Sequence, residues 1–249
     1  MKAIILSAGQ GRRLLPLTAE MPKCLLQFGD KTLLEWQLDA LTAAGIDDIV
    51  VVTGFAADKV EVTLERIRKA GGPAVRMLYN PFFALADNLA SCWAARHEMQ
   101  GDFLVLNGDT LMEPEIARRV VAGEPSAAIT VTIDRKDGYD ADDMKVSLDQ
   151  DRLLAIGKTL PADSVDGESI GFLRFSPEGG ARFVAEIECT LRTDAGLKLW
   201  YLSAIDRIAR QQGGVGVRSI EGLEWGELDF SEDLERNRAM TARWARNTR

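Results

Sequence analysis

The sequence predicts an α/β fold built on a mixed, mostly parallel sheet flanked by helices. Three observations predict it. Short apolar runs of strand length alternate with longer segments of helical apolar spacing in the first half of the 249 residues. The apolar runs stop abruptly at glycine or Asn/Asp turns, so the strands are bounded by tight loops. Single helices between strands imply right-handed crossovers, which set neighbouring strands parallel.

Taken in order, Ala3–Leu6 is the first strand, and it breaks at Ser7-Ala8-Gly9-Gln10-Gly11-Arg12-Arg13. Leu33–Ala44 is a helix: Leu33, Leu34, Leu38 and Leu41 recur at helical spacing, Thr32 and Glu35 form a capping box, and Gly45 stops it. Asp48–Thr53 is a second buried strand ended by Gly54. Lys59–Ala70 is an amphipathic helix closing on Gly71-Gly72, and Val75–Tyr79 is the third strand. Asn88–Met99 is a helix capped by Asp87 or Asn88. Asp102–Leu106 is the fourth strand and runs straight into Asn107-Gly108-Asp109-Thr110. After residue 125 the pattern changes. Strands are expected at Ala127–Ile133, Met144–Leu148, Leu153–Gly157 and Ser169–Phe175, and later at Gly216–Ile220. Helices are expected at Pro177–Thr190, Leu197–Gln212 and Glu232–Arg246, the last capped by Ser231. With no repeat, low-complexity stretch or Pro/Ser-rich linker, the chain reads as one domain.

Composition narrows the function classes. Nearly half the residues are apolar, enough for a core without disulfides or metal. The net charge is −8 and no long basic run occurs, which argues against a nucleic-acid partner. Cys24, Cys92 and Cys189 are few, odd in number and widely spaced, so a reducing, cytoplasmic setting is expected. No stretch approaches the ~20 apolar residues of a membrane span, and the first apolar run is too short for a signal peptide. Oligomeric state is open, a homodimer included.

The strongest chemical signal is the turn after the first strand. Glycines let the main chain approach a ligand, and exposed amides form an anion-binding concavity. Arg12, Arg13 and Lys23 crowd it, which suits a polyphosphate. Two familiar phosphate loops do not fit. The dinucleotide fingerprint would need its third glycine at Leu14, and Gly29-Asp30-Lys31-Thr32 lacks the spacing of a Walker loop. A purely structural turn is the remaining alternative. In a parallel sheet, ligands bind beyond the carboxyl ends of the strands. The glycine turn, the Tyr79-Asn80 loop and Asn107–Thr110 therefore converge on one crevice. An acid there, Asp109, suits Mg2+, although Asn-Gly-Asp is also turn chemistry in its own right.

Gly9, Gly11, Arg13, Pro16, Thr18, Pro22 and Lys23 match the pattern G-x-G-x-R-x-x-P-x-T-x-x-x-P-K. The chain thereby resembles nucleotidyltransferases that activate phosphorylated small molecules, although Arg12 stands where Thr, Ser or Glu is common. Asn80-Pro81-Phe82 followed by Asp87-Asn88-Leu89-Ala90-Ser91 is similar to the N-P-F/Y…N-N-x-x-S segment of phosphocholine cytidylyltransferases and their phosphonate- and polyol-phosphate-using relatives. Asp87 replaces the usual first Asn. The resemblance implies a Rossmann-like, nucleotide-diphospho-sugar transferase-like fold, with residues 1–125 as the nucleotide half and 126–249 as the acceptor half.

The resemblance also implies an activity. CTP and a phosphorylated or phosphonylated acceptor, of the phosphocholine or 2-aminoethylphosphonate type, would yield a CMP conjugate and pyrophosphate. Arg13 and Lys23 would carry the catalytic positive charge. Leu6, Ala8, Gly9, Gly11, Arg12, Asn88 and Ser91 would hold the nucleotide. Asp109 and a late second aspartate, Asp229, would hold Mg2+. Lys145, Lys158, Glu168 and Tyr201 would face the acceptor. Either lysine could instead be a sheet-edge charge, Asn88 a helix cap, and Tyr201 a core aromatic. Tyr139, Trp200 and Trp225 are further candidates for a pocket wall. Two rivals stand beside this reading: a sugar-1-phosphate nucleotidyltransferase using another NTP, and a non-catalytic nucleotide-sensing domain.

Overall fold

A strand that is apolar on every residue needs a covering layer on each face. The first strand, β1 (Lys2–Ser7), turns Ile4 and Leu6 into one buried cluster and Ala3 and Ile5 into another. The computed structural model of the chain, which describes residues 1–123, 125 and 127–247, builds both layers. The proposed division between residues 125 and 126 falls at a position outside the described residues.

The amino-terminal half continues with β2 (Gln27–Phe28), β3 (Lys31–Thr32), α1 (Leu33–Ala43), β4 (Asp48–Thr53), α2 (Ala57–Lys69), β5 (Val75–Tyr79), α3 (Asn88–Ala94), β6 (Phe103–Asn107), β7 (Thr110–Met112) and α4 (Pro114–Ala122). The second half adds β8 (Ile129–Asp134), β9 (Lys145–Asp149), β10 (Arg152–Gly157), β11 (Gly167–Phe175), α5 (Pro177–Leu191), α6 (Tyr201–Gln211), β12 (Val215–Ser219), β13 (Trp225–Glu227) and α7 (Ser231–Asn247).

One nine-stranded sheet runs β5-β4-β1-β6-β11-β8-β12-β10-β9. Strands β5, β4, β1 and β6 run parallel to one another, as single-helix crossovers require, and β6 then pairs antiparallel with β11. From β11 onward antiparallel pairs dominate, with β8 and β12 parallel to each other. Helices α1, α2 and α4 cover one face, and α3, α5 and α6 the other. A third apolar cluster, including Phe28, Trp36, Leu228 and Trp244, seats α7 against the β2–β3 hairpin.

Local chemistry explains the element ends. In α1 the Glu35 amide donates to Thr32 Oγ1 at 3.2 Å, and Glu35 Oε2 accepts from the Thr32 amide at 2.8 Å, completing the expected capping box. The third helix stops at Ala94, short of the expected Met99, and one 3-10 turn covers Arg96–Glu98. Helix α7 begins at Ser231 itself. Its first turn is held by Asp233, whose Oδ2 accepts from the amides of Asp229 and Phe230 at 2.8 Å each, so Ser231 is not the cap that the sequence suggested. Three features escaped the sequence reading: the β2–β3 hairpin, helix α4, and the two-stranded ribbon of β7 with β13.

Candidate active site

The site begins where β1 and β6 end side by side. Their parallel register pairs Leu6 with Asn107, so both following turns leave the sheet at one point. The Gly108 amide donates to the Leu6 carbonyl at 3.0 Å, and a Cβ on Gly108 would collide with that carbonyl and with Ser7. Gly11 sits at φ +75, and a Cβ there would come within 3.1 Å of the Lys23 side chain. Glycine therefore serves twice at this position, for the left-handed turn and for passage of the lysine stem. Fully buried Thr18 ties the turn down, its hydroxyl donating to the Gly11 carbonyl at 2.8 Å.

Lys23 is the centre of the arrangement. Its Nζ donates to Asp109 Oδ2 at 2.8 Å and to Asp229 Oδ1 at 2.6 Å. The two aspartates are 120 residues apart in sequence, and the β7–β13 ribbon explains why they meet. Glu227 pairs with Thr110, and the Leu228 amide donates to the Asp109 carbonyl at 3.1 Å. The ribbon thus carries Asp109 at the start of one strand and Asp229 just past the end of the other. Buried Gln37 of α1 fixes the Asn107–Thr110 corner, its Nε2 donating to the carbonyls of Asn107 at 2.7 Å and Thr110 at 2.8 Å.

Electrostatics follow from this packing. Burial alone would depress the Lys23 ammonium, but Asp109 and Asp229 outweigh it and the pKa is raised. Burial would raise the Asp229 carboxyl, yet Lys23, and then Arg13, pull it below its ordinary value. Glu227 has the opposite fate: burial, then the charges of Asp109 and Asp229, push its carboxyl up. Arg13 Nη1 lies 3.5 Å from Asp229 Oδ2, its Nη2 3.8 Å from Asp142 Oδ1, and its guanidinium over the Phe230 ring at 5.0 Å.

Two recesses meet at these residues. The larger, about 250 Å³, is walled by Leu6, Ser7, Ala8, Gly9, Gly11, Lys23, Phe83, Ser91 and Gly108. The smaller, about 100 Å³, is walled by Asn107, Asp142, Lys158, Gly171, Tyr201, Glu227 and Asp229. Asn88, Asp109 and Trp200 belong to both and form the boundary. A ligand on the glycine turn and a ligand beside Lys158 would therefore meet at Asp109.

Most sequence-singled residues come together here. Leu6, Ala8, Gly9, Gly11, Lys23, Asn88, Ser91 and Asp109 line the larger recess. Ser91 Oγ accepts from Asn80 Nδ2 at 3.0 Å, and Asn88 Oδ1 accepts from the Tyr201 amide at 2.9 Å. Arg12 is exposed and lines an adjoining recess with Gln10, Phe83 and Lys198. Lys158 Nζ bonds Asp142 Oδ1 at 3.2 Å and sits 4.7 Å from the Trp200 ring centre.

Three placements correct the sequence reading. Lys145 is buried and does not line the smaller recess: its ammonium donates to the carbonyls of Asp140, of Asp143 at 3.5 Å and of Lys158 at 3.0 Å. Glu168 is also buried off the recess, ion-paired to Lys136 at 2.9 Å, and burial lifts its carboxyl to about 7. Trp225 donates from Nε1 to Asp134 Oδ2 at 2.8 Å, and neither it nor Tyr139 walls these recesses. Tyr201 is a core residue that nonetheless borders the smaller recess. The sequence reading missed Glu227, although alternation in Glu227-Leu228-Asp229 puts both acids on one side of an extended segment.

Among the described residues, no three Asp, Glu, His or Cys side chains gather as a ready-made metal cage. The pair Asp109 and Asp229 is the donor set that could hold a cation. Asp109 Oδ1 is buried and has no hydrogen-bond partner among the described residues, and carboxylate oxygens suit a hard cation that keeps waters and phosphate oxygens in its shell.

Comparisons with known proteins agree with this geometry. The chain is 25% identical over 256 residues to the CTP:phosphoglutamine cytidylyltransferase of Campylobacter jejuni, spanning 94% of this chain and 98% of that one. It is 33% identical over 105 residues to the choline-phosphate cytidylyltransferase of Streptococcus pneumoniae, 42% of this chain and 43% of the relative. Among solved structures, the CTP:phosphocholine cytidylyltransferase of Streptococcus pneumoniae superimposes with a TM-score of 0.80 at 23% identity, over 96% of this chain and 98% of the other. The inositol-1-phosphate CTP transferase of T. maritima also gives 0.80, at 19% identity and over 96% and 94%. The fold is the nucleotide-diphospho-sugar transferase fold. Residues 2–143 match the family of nucleotidyl transferases, and with the glycine turn, Lys23 and Asp109 inside that span, the chain belongs to this family.

Proposed function

We propose that the protein is a Mg2+-dependent cytidylyltransferase that joins CTP to a small phosphorylated or phosphonylated acceptor. The observation that carries this reading is Lys23 bridging Asp109 and Asp229 at the seam of two recesses. The choice of CTP draws on the relatives, two of which are named for cytidylyl transfer. An acceptor phosphate oxygen attacks the α-phosphorus, the bond to the β-phosphate bridge breaks, and pyrophosphate leaves. The acceptor oxygen is already anionic at neutral pH, so no general base is required.

The chain's task is positioning and charge neutralisation. Amides of the Gly9–Arg13 turn, with Arg13, receive the triphosphate. Lys158 receives the acceptor's anionic end. Lys23 moves from its carboxylate partners to the reacting phosphoryl oxygens. Asp109 and Asp229 would hold Mg2+, which would supply neutralisation of the phosphoryl charge. Three free cysteines, two of them buried, support the cytoplasmic placement.

The test is pyrophosphate release with Mg2+, an acceptor panel and each of CTP, UTP, dTTP, GTP and ATP. CTP is expected to lead by at least tenfold. Preference for another nucleotide with a sugar 1-phosphate would favour the alternative suggested by the mannose-1-phosphate guanyltransferase of Schizosaccharomyces pombe, 34% identical over 45% of this chain. Nucleotide binding without turnover of any acceptor would point to a sensing domain.

A further inference from the structure

The inner end of the smaller recess holds polar atoms that nothing among the described residues satisfies. Tyr201 is fully buried, yet its phenol oxygen has no partner among the described residues. Neither has the buried Asn107 Oδ1. Gly171, at φ +71, makes room for that amide, because a Cβ there would collide with the Asn107 side chain. Glu227 borders the same recess, while the nearby Lys23 ammonium is directed to Asp109 and Asp229 instead.

Buried polar groups left without partners are unfavourable. Their arrangement suits a ligand that brings donors. An amide oxygen, a phenol and a carboxylate can take three N–H donors and one positive charge. A quaternary ammonium head has no N–H and would leave these atoms orphaned. Its usual seat, an aromatic face, is here Trp200, whose ring already carries the Lys158 ammonium.

We propose that the acceptor bears a protonated primary amine, bound at the inner end of the recess by Tyr201 Oη, Asn107 Oδ1 and the Glu227 carboxylate. This inference rests on the cytidylyl-transfer reading and names its acceptor class.

The experiment is pyrophosphate release from CTP with 2-aminoethyl phosphate and its N-methyl, N,N-dimethyl and N,N,N-trimethyl forms, plus the 2-hydroxyethyl analogue. The expected result is a fall in kcat/KM with each methyl, about tenfold or more in total, because a site built for hydrogen bonding rejects analogues that leave it unpaired. The hydroxyl analogue should also fall behind the amine. Tyr201→Phe and Glu227→Gln should each compress the amine-to-trimethyl ratio, with unchanged thermal unfolding showing that the fold is intact. Equal or better turnover of the trimethyl or hydroxyl form overturns the amine assignment and leaves cytidylyl transfer standing. So does an unchanged ratio in both variants, or failure of all five acceptors beside turnover of another phosphorylated one. Failure of CTP with every acceptor overturns both readings.

Discussion

The amino-terminal turn and the 140–158 segment each bring a lysine toward the crevice, and the two lysines do different work. Lys23 reaches the seam and faces two carboxylates. Lys145 turns inward and holds three backbone carbonyls of its own segment. The difference lies in the neighbouring backbone. Beside Lys23, the carbonyls of Ala8 and Gly11 in the glycine turn already accept from the Phe55 amide and from the Leu14 amide and Thr18 hydroxyl, and the ammonium takes the two acids as its partners. Around Lys145, the loop between β8 and β9 and the end of β10 expose carbonyls that need donors, and a buried ammonium supplies them. A cation near a ligand site is thus functional or structural according to which backbone groups its surroundings leave unpaired.

Four predictions sharpen or break this contrast. The largest effect belongs to the seam. Lys23→Ala or Asp109→Asn should lower kcat/KM for pyrophosphate release by about a thousandfold, roughly 4 kcal/mol, with the unfolding temperature little changed. Retention of activity within tenfold would remove Lys23 and Asp109 from the chemistry. Next, Lys145→Met should cost about 2–4 kcal/mol of stability in urea unfolding, because buried carbonyls lose their donor, while acceptor KM in the surviving folded protein stays the same. A raised acceptor KM with unchanged stability would return Lys145 to the binding site. Third, Lys158→Ala should raise acceptor KM about tenfold and leave nucleotide KM within roughly twofold, since Lys158 borders the smaller recess and not the larger one.

The smallest effect concerns pH. Burial raises the Glu168 carboxyl to about 7 in the folded protein, above its unfolded value. A folded state that binds the proton more tightly is favoured at low pH, and that contribution is lost as pH rises from about 4.5 through 7. Thermal unfolding should therefore fall more steeply between pH 5 and 8 in the wild type than in Glu168→Gln. Parallel profiles would mean that Lys136 already holds the carboxylate charged at pH 5.

How much of the site the sequence disclosed depended on whether a local pattern or a distant pairing set it. The glycine turn, Lys23 and the strand-end Asp109 were readable because period, turn chemistry and strand polarity are local. The capping box of α1 was readable for the same reason. Helix α4 was missed although Pro114 stands at its first turn, where proline opens a helix instead of breaking one. The Lys145 carbonyl cage could not be seen, since it is assembled by the end of β10 and a loop before β9. Glu168 reads in the sequence as an acid facing the acceptor, and only its register with Asp134 shows Lys136 beside it. Asp229 was assigned from family likeness, and the reason it belongs with Asp109 emerged only from the β7–β13 pairing.

That pairing makes spacing, as much as residue identity, a heritable property of the enzyme. Inserting one residue between Trp225 and Leu228 would turn Asp229 to the opposite side of its strand, whereas inserting two would restore its direction but push it about 7 Å along. Homologous chains should consequently vary freely in the loop before Trp225, while tolerating no change of length between that tryptophan and the aspartate.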